Sequence, residues 1–205
     1  MPNHDLPYRP LRAGTSILNA RVNEPGTLGL IAQDAAGAAW IVSCYHVLCD
    51  VNLGAYVQDD PIYQPAAVVN GNQIAVTSNT MADAGLDCAA AKVMAGIQVS
   101  NSILEIGPVT GVVAAAVGMR VVKSGGVSGI TEGVVANVAG QTVTIKIDTS
   151  FPQQYVLSEA GDSGALWVEQ TTQRAVALHR GLQTAREAAG VPIQLVLNQL
   201  GLRLM

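Results

Sequence analysis

The sequence predicts an all-β chain of short antiparallel strands, a sandwich or a barrel, and three observations carry that expectation. Apolar residues make up 49% of the 205 residues, rich in Val, Ile, Ala and Gly, with a single Phe; such a mix suits many closely packed strands. Short apolar runs alternate with Gly, Asn, Asp and Pro turn chemistry along almost the whole chain. The strand–helix alternation of a parallel sheet is missing, so regular short strands with tight turns point to an antiparallel architecture.

Taken in order, the expected strands cover residues 27–32, 40–43, 73–77, 88–93, 118–123, 133–138 and 142–147, with turns at 34–37, 70–72 and 139–141. A break near 107–111 separates two similar halves without a sequence repeat. The tail differs. Pro192 opens an apolar stretch with Ile193, Leu195, Val196, Leu197 and Leu200 before Gly201, the start and stop of a short helix.

Composition narrows the function classes. Charged residues are only 13% of the chain, a globular profile. A net charge of −4 with no basic cluster argues against nucleic acid as a partner. No run reaches membrane-spanning length, and the polar, Pro-rich start lacks the apolar core of a signal peptide. With Met1 as the native start, a cytoplasmic protein is expected. The three cysteines, Cys44, Cys49 and Cys88, are odd in number and form no CxxC pair. They are read as reduced thiols in the core rather than a disulfide framework or a zinc site, and neither metal nor cofactor is expected.

The sharpest chemical signal is Gly161-Asp162-Ser163-Gly164, followed by Ala-Leu-Trp-Val. Glycines on both sides of a serine permit a tight turn and close approach of a carbonyl. The same turn can aim the Gly161 and Ser163 N–H groups at one point, as an oxyanion hole. By itself the tetrapeptide is equally an ordinary turn between strands. A serine nucleophile needs a base and the base an orienter. The three histidines are His4 in the polar leader, His46 just after an apolar strand, and His179 in the strand after the serine. Asp87 stands at the mouth of a buried strand, with Asp83, Asp59 and Asp60 as competitors in loops.

The order His46, Asp87, Ser163, with the Asp-x-Ala-x-Ala strand start and the GDSG, resembles the chymotrypsin-like (trypsin-like) serine peptidases. The likeness runs from about Gly26 to the terminal helix and is greatest to bacterial, disulfide-free members, which carry a segment similar to Val122-Lys123-Ser124-Gly125 and Gly129-Ile130-Thr131-Glu132-Gly133. Residues 126–128 depart from the usual Arg-Thr-Thr-like stretch, and Cys44-Tyr45 replaces two small residues before the histidine. The resemblance implies two six-stranded antiparallel β-barrels and a C-terminal helix: an N-terminal extension over 1–25, a barrel over 26–110 with His46 and Asp87, and a barrel over 111–205 with Ser163.

It also implies a serine endopeptidase acting on protein or peptide substrates, with His46 as base, Asp87 as orienter, and the Gly161 and Ser163 amides as oxyanion donors. The position that holds an aspartate in a tryptic pocket is Leu157, which argues against that specificity. Ser158 and His179 stand where glutamate-specific relatives place a hydroxyl and a histidine, so cleavage after Glu, or after Gln, is one expectation. A pocket for small apolar residues, with His179 merely capping a strand, is the other. In secreted trypsins the aspartate before the serine pairs with a released N-terminus; at Asp162 a different partner is expected. A dedicated partner protein as substrate follows from compartment alone. An α/β-hydrolase is disfavoured because residue 165 is Ala and the order Ser-acid-His is absent. The non-enzyme alternative is an inactive module of the same fold.

Overall fold

The computed structural model describes residues 3–49 and 58–205. In the first half, β1 (Leu11–Ala13), β2 (Ser16–Asn19), β3 (Gly26–Thr27), β4 (Leu30–Gln33) and β5 (Ala39–Ser43) precede a single helical turn, α1 (Tyr45–Leu48). They are followed by β6 (Pro61–Tyr63), β7 (Gln73–Asp83), β8 (Cys88–Val93), β9 (Val99–Ile103) and β10 (Gly107–Pro108). The second half holds β11 (Arg120–Gly125), β12 (Gly129–Ala139), β13 (Thr142–Lys146), β14 (Leu166–Glu169), β15 (Ala175–Thr184) and β16 (Glu187–Pro192). The chain ends in α2 (Ile193–Leu200) and β17 (Arg203–Leu204).

The second half is a closed six-stranded antiparallel barrel, ordered β11-β12-β13-β16-β15-β14. The first half is an eight-stranded sheet, ordered β17-β4-β5-β8-β7-β6-β2-β3. Its two neighbouring ends are one stretch of chain: β3 and β4 are interrupted only at Leu28–Gly29. A small third sheet, β1-β9-β10, lies beside it. The chymotrypsin-like architecture expected from the sequence is therefore present, with one six-stranded barrel closed by hydrogen bonds and a half-barrel sheet in the first half.

One expected boundary differs. Residues 1–25 read as an extension, yet β1 and β2 belong to the sheets, with Leu18 opposite Tyr63 and Leu11 opposite Val99. Leu11 and Ile17 are fully buried, so the first half gathers apolar surface well before Gly26. The short run lengths hid these strands.

Alternation explains how each strand faces its core. Along β12 and β13 the buried positions, such as Val135, Val143 and Ile145, recur at every second residue and meet Trp167 and Leu157 inside the closed barrel. The other apolar cluster runs across both halves, joining Ile31, Ile41 and Leu28 to Leu166, Leu178 and Val191. α2 extends this bridge. Pro192 precedes it and Gly201 caps it in the left-handed conformation (φ 62°). Its buried face, Ile193, Val196, Leu197 and Leu200, packs on β15 and also on β7 and β8. β17 then adds to β4. The tail ties the two halves together, and the cleft between them is held by that apolar seam.

This predicts a contrast within one helix. Ile193 is fully buried and Leu195 is 36% exposed. Ile193→Ala should cost about 2–5 kcal/mol of unfolding free energy, and Leu195→Ala about 0.5 kcal/mol or less. Urea unfolding with unchanged slope measures both.

Candidate active site

The serine stands on a turn that only glycine can make on both sides. Gly161 has φ 100° and Gly164 φ 91°, conformations in which an L side chain is strained. A Cβ on Gly164 would lie 2.0 Å from the Ser43 Oγ, and one on Gly161 2.6 Å from a Val127 methyl. Between them the backbone is pinned from outside the loop. The Thr27 N–H donates to the Ser163 carbonyl at 2.8 Å, and the Gly164 N–H donates to the His179 carbonyl at 2.8 Å. The N–H groups of Gly161 and Ser163, in contrast, donate to no group among the described residues. Two unoccupied donors flank the serine side chain.

His46 lies in α1, directly after β5, so the rigid strand sets its position. Asp87 immediately precedes β8, in the left-handed region at φ 54°, which Asp tolerates better than most side chains. Its carboxylate accepts from the His46 backbone N–H at 3.1 Å and meets the ring Nδ1 at 2.9 Å. β5 and β8 are hydrogen-bonded neighbours, with Ser43 opposite Ala89, which is why the two residues meet. His46, Gly161 and Ser163 line one cavity of about 150 Å³, together with Glu24, Pro25, Val47 and Ala160. The Ser163 hydroxyl donates to the Arg180 carbonyl at 3.2 Å rather than to His46.

Asp162 is turned the other way and is fully buried. Its carboxylate accepts from the Lys123 ammonium at 2.8 Å, from the Val127 and Ser128 amides at 3.1 and 3.0 Å, and from the Glu159 amide at 3.0 Å. The Ser128 and Ser158 hydroxyls add two more bonds. Burial opposes ionisation there, but the Lys123 charge and these hydrogen bonds outweigh it and hold the carboxyl well below the usual carboxylate range. Lys123 is itself fully buried on β11, beside the Trp167 ring. It is the charged partner of Asp162, which motif order alone does not reveal. A lysine at a strand position flanked by Val122 and Ser124 was the available signal.

The three residues read as a pocket are placed as follows. Leu157 is fully buried in the core of the closed barrel. Ser158 and His179 are hydrogen-bonded to each other at 2.7 Å and are 2% and 0% exposed. The Trp167 indole N–H donates to His179 Nδ1 at 3.2 Å, which fixes the ring proton on Nε2. Nε2–H then donates to Ser158 and Ser158 to Asp162, so protons point one way along the chain of groups. Burial first, and the nearby Lys123 charge second, push the His179 pKa down to about 3. Arg180, next to it, sends its Nε–H toward Asp87 at 3.4 Å. His4 is away from all of this, held by the Gly14 carbonyl and Glu105. Asp60 pairs with Arg21, and Asp83 caps the Leu86 amide. The three cysteines are free and buried.

No protein-family model and no curated protein matches the sequence. Solved structures match strongly in shape. A glutamic-acid-specific serine protease, described as using a histidine triad in substrate binding, aligns over 95% of this chain and 100% of its own, at 19% identity and TM-score 0.73. The protease of Nocardiopsis aligns over 94% and 97%, at 16% identity and TM-score 0.71. An α-lytic protease homologue aligns over 94% and 97%, at 18% identity and TM-score 0.70. The fold is therefore that of the bacterial chymotrypsin-like serine proteases.

A pH prediction follows from His179. The unfolded histidine titrates near 6.5 and the folded one near 3, so between these values the unfolded chain binds the extra proton. The stability that His179 contributes is whole above about pH 6.5 and is lost as pH falls toward 3. Asp162, also held low, adds its loss only below about pH 4. Between pH 4.5 and 6.5 the wild type should lose up to about 1.4 kcal/mol per pH unit through this group. Denaturant midpoints across that range should show a shallower slope for His179→Gln.

Proposed function

We propose that the protein is a serine endopeptidase in which Ser163 is the nucleophile, His46 the general base and acid, and Asp87 the group that orients the imidazole. The observation that carries this reading is that His46, held at Nδ1 by Asp87 at 2.9 Å, lines one cavity together with Ser163 and Gly161, whose amides are unengaged among the described residues. With Nδ1–H held by Asp87, the Nε2 lone pair faces the cleft. Ser163 turns from the Arg180 carbonyl to His46 and loses its proton as it attacks a peptide carbonyl. The oxyanion is received by the Gly161 and Ser163 N–H groups, and His46 returns the proton to the leaving amine. Water then repeats the sequence on the acyl-enzyme. Arg180, half-exposed, lies against the same carboxylate that stabilises the imidazolium. Peptides or proteins are the substrates, and processing of one dedicated protein is the proposed cellular role.

For the side chain preceding the cleaved bond we propose Glu, with Gln as the weaker alternative. A buried Leu157 offers no anion for a basic side chain, and the fold likeness includes a protease that is specific for glutamic acid. The acceptor groups of such a side chain would take the Ser158 hydroxyl and the His179 Nε2–H. Both now serve the path to Asp162, so Ser158 must turn toward the substrate. His179 here partners a tryptophan and a serine rather than other histidines, so this chain would recognise an acidic side chain with a single imidazole.

Two experiments test these readings. Wild type should react with a fluorophosphonate probe, and Ser163→Ala should not; hydrolysis by the variant should fall by about 10⁴-fold or more. A wild-type chain that never labels sinks the peptidase reading in favour of an inactive binding module. A peptide library should return Glu before the scissile bond. A preference for Arg or Leu there refutes the acidic pocket and leaves the hydrolysis intact.

A further inference from the structure

Cys44 has no part in the proposed hydrolysis, yet its thiol stands beside two groups that do. Cys44 Sγ, a ring nitrogen of His46 and a carboxylate oxygen of Asp87 all lie within 4.8 Å of one another. We infer that these three side chains form an inhibitory site for a soft divalent cation, with Zn²⁺ as its type, and that an ion bound there switches the catalytic machinery off. Only the consequence for hydrolysis rests on the peptidase reading; the binding does not.

The ligand set selects the ion. Thiolate, imidazole and carboxylate together suit zinc, whereas Mg²⁺ and Ca²⁺ require oxygen ligands alone. A tetrahedral ion with bonds of about 2.0–2.3 Å holds its ligand atoms about 3.3–3.8 Å apart. The imidazole Nδ1 and Asp87 are already closer than that, at 2.9–3.0 Å. The thiol has at most about 1 Å to travel to reach that spacing. It is held by weak sulfur hydrogen bonds, to the His179 carbonyl at 3.1 Å and with the Gly164 backbone. Entry is from the cleft, on the side of half-exposed His46. Arg180, equally exposed, yields a long contact to Asp87 and swings to solvent.

The thiol is dormant without an ion. Burial, and next the Asp87 carboxylate, push its pKa well above the ordinary value, so it stays protonated until a cation supplies countercharge. Binding converts M²⁺ and the thiol into a metal thiolate and releases one proton to solvent. No electron is transferred. The His46 proton moves from Nδ1 to Nε2 through solvent, because Nδ1 now holds the metal. That transfer is the inhibition. An Nε2 that carries a proton cannot take one from Ser163, and Asp87 is no longer free to orient the ring.

The test uses the reduced, metal-free full chain. Co²⁺ titration of wild type should produce a thiolate-to-cobalt charge-transfer absorption at one ion per chain, absent in Cys44→Ala. Zn²⁺ should inhibit wild-type hydrolysis reversibly by chelator, and Cys44→Ala should raise the inhibition constant at least about tenfold. Cys49→Ala and Cys88→Ala should leave both readouts unchanged, and Mg²⁺ or Ca²⁺ should do nothing. Cys44→Ser, close in size, serves if the alanine variant does not fold. No charge-transfer band in wild type, or equal zinc inhibition of wild type and both Cys44 variants, overturns the inference. A chain that shows no hydrolysis at all still gives the cobalt result, so failure of the peptidase reading is separable from failure of the site.

Discussion

The Lys123–Asp162 pair is the interaction on which the rest of the site depends. Two full charges sit where the side chains have no solvent exposure. Such a pair gives little net stability, because removing both ions from water costs several kcal/mol each. What it gives is position. Asp162 gathers donors from Lys123, from the 127–128 backbone and from residues 158 and 159, so three separate stretches of chain are fixed by one carboxylate. In the same loop the N–H groups of Gly161 and Ser163 have no partner among the described residues, while the side chain between them is tied to the interior by the ion pair.

The same carboxylate terminates a directional chain from Trp167 through His179 and Ser158. An indole nitrogen can only donate, so it dictates the histidine tautomer, and the tautomer dictates which way the serine hydroxyl points. A cationic His179 would break this order, since both ring nitrogens would then donate. Burial and Lys123 together exclude that form near neutral pH. Near neutral pH the imidazole is therefore neutral and its proton has a fixed direction. Under the proposed acidic specificity, a substrate group would have to redirect Ser158, and recognition would then be linked to the support of Asp162 through one hydroxyl.

Much of this was legible in the chain, and the remainder was not for identifiable reasons. Period-two alternation and turn residues gave 88–93 and 142–146 nearly to the residue, and Pro192 and Gly201 bracketed α2. The motif order brought His46, Asp87 and Ser163 forward because their chemistry requires one another. β1 and β2 escaped because three or four residues carry too little periodicity, and their pairing is set by distant partners at 99–103 and 62–63. Lys123 escaped because a lysine in a strand reads as solvent-facing until its partner is known. Burial of Ser158 and His179 escaped for a related reason: a hydroxyl and an imidazole look like ligand donors in a sequence, whereas here Asp162 engages the serine, and Trp167 and Ser158 engage the histidine.

The two carboxylates of the site thus divide the work by environment. Asp162 is enclosed, saturated with donors and paired with an internal cation, so the loop bearing Ser163 is held from the interior. Asp87 lies nearer the cleft and is shared between His46 and a long contact from Arg180, with Cys44 beneath. Of the two carboxylates, Asp87 is the one whose partners can be exchanged from the cleft side, and the inferred cation would compete there for Asp87 and the Nδ1 of His46.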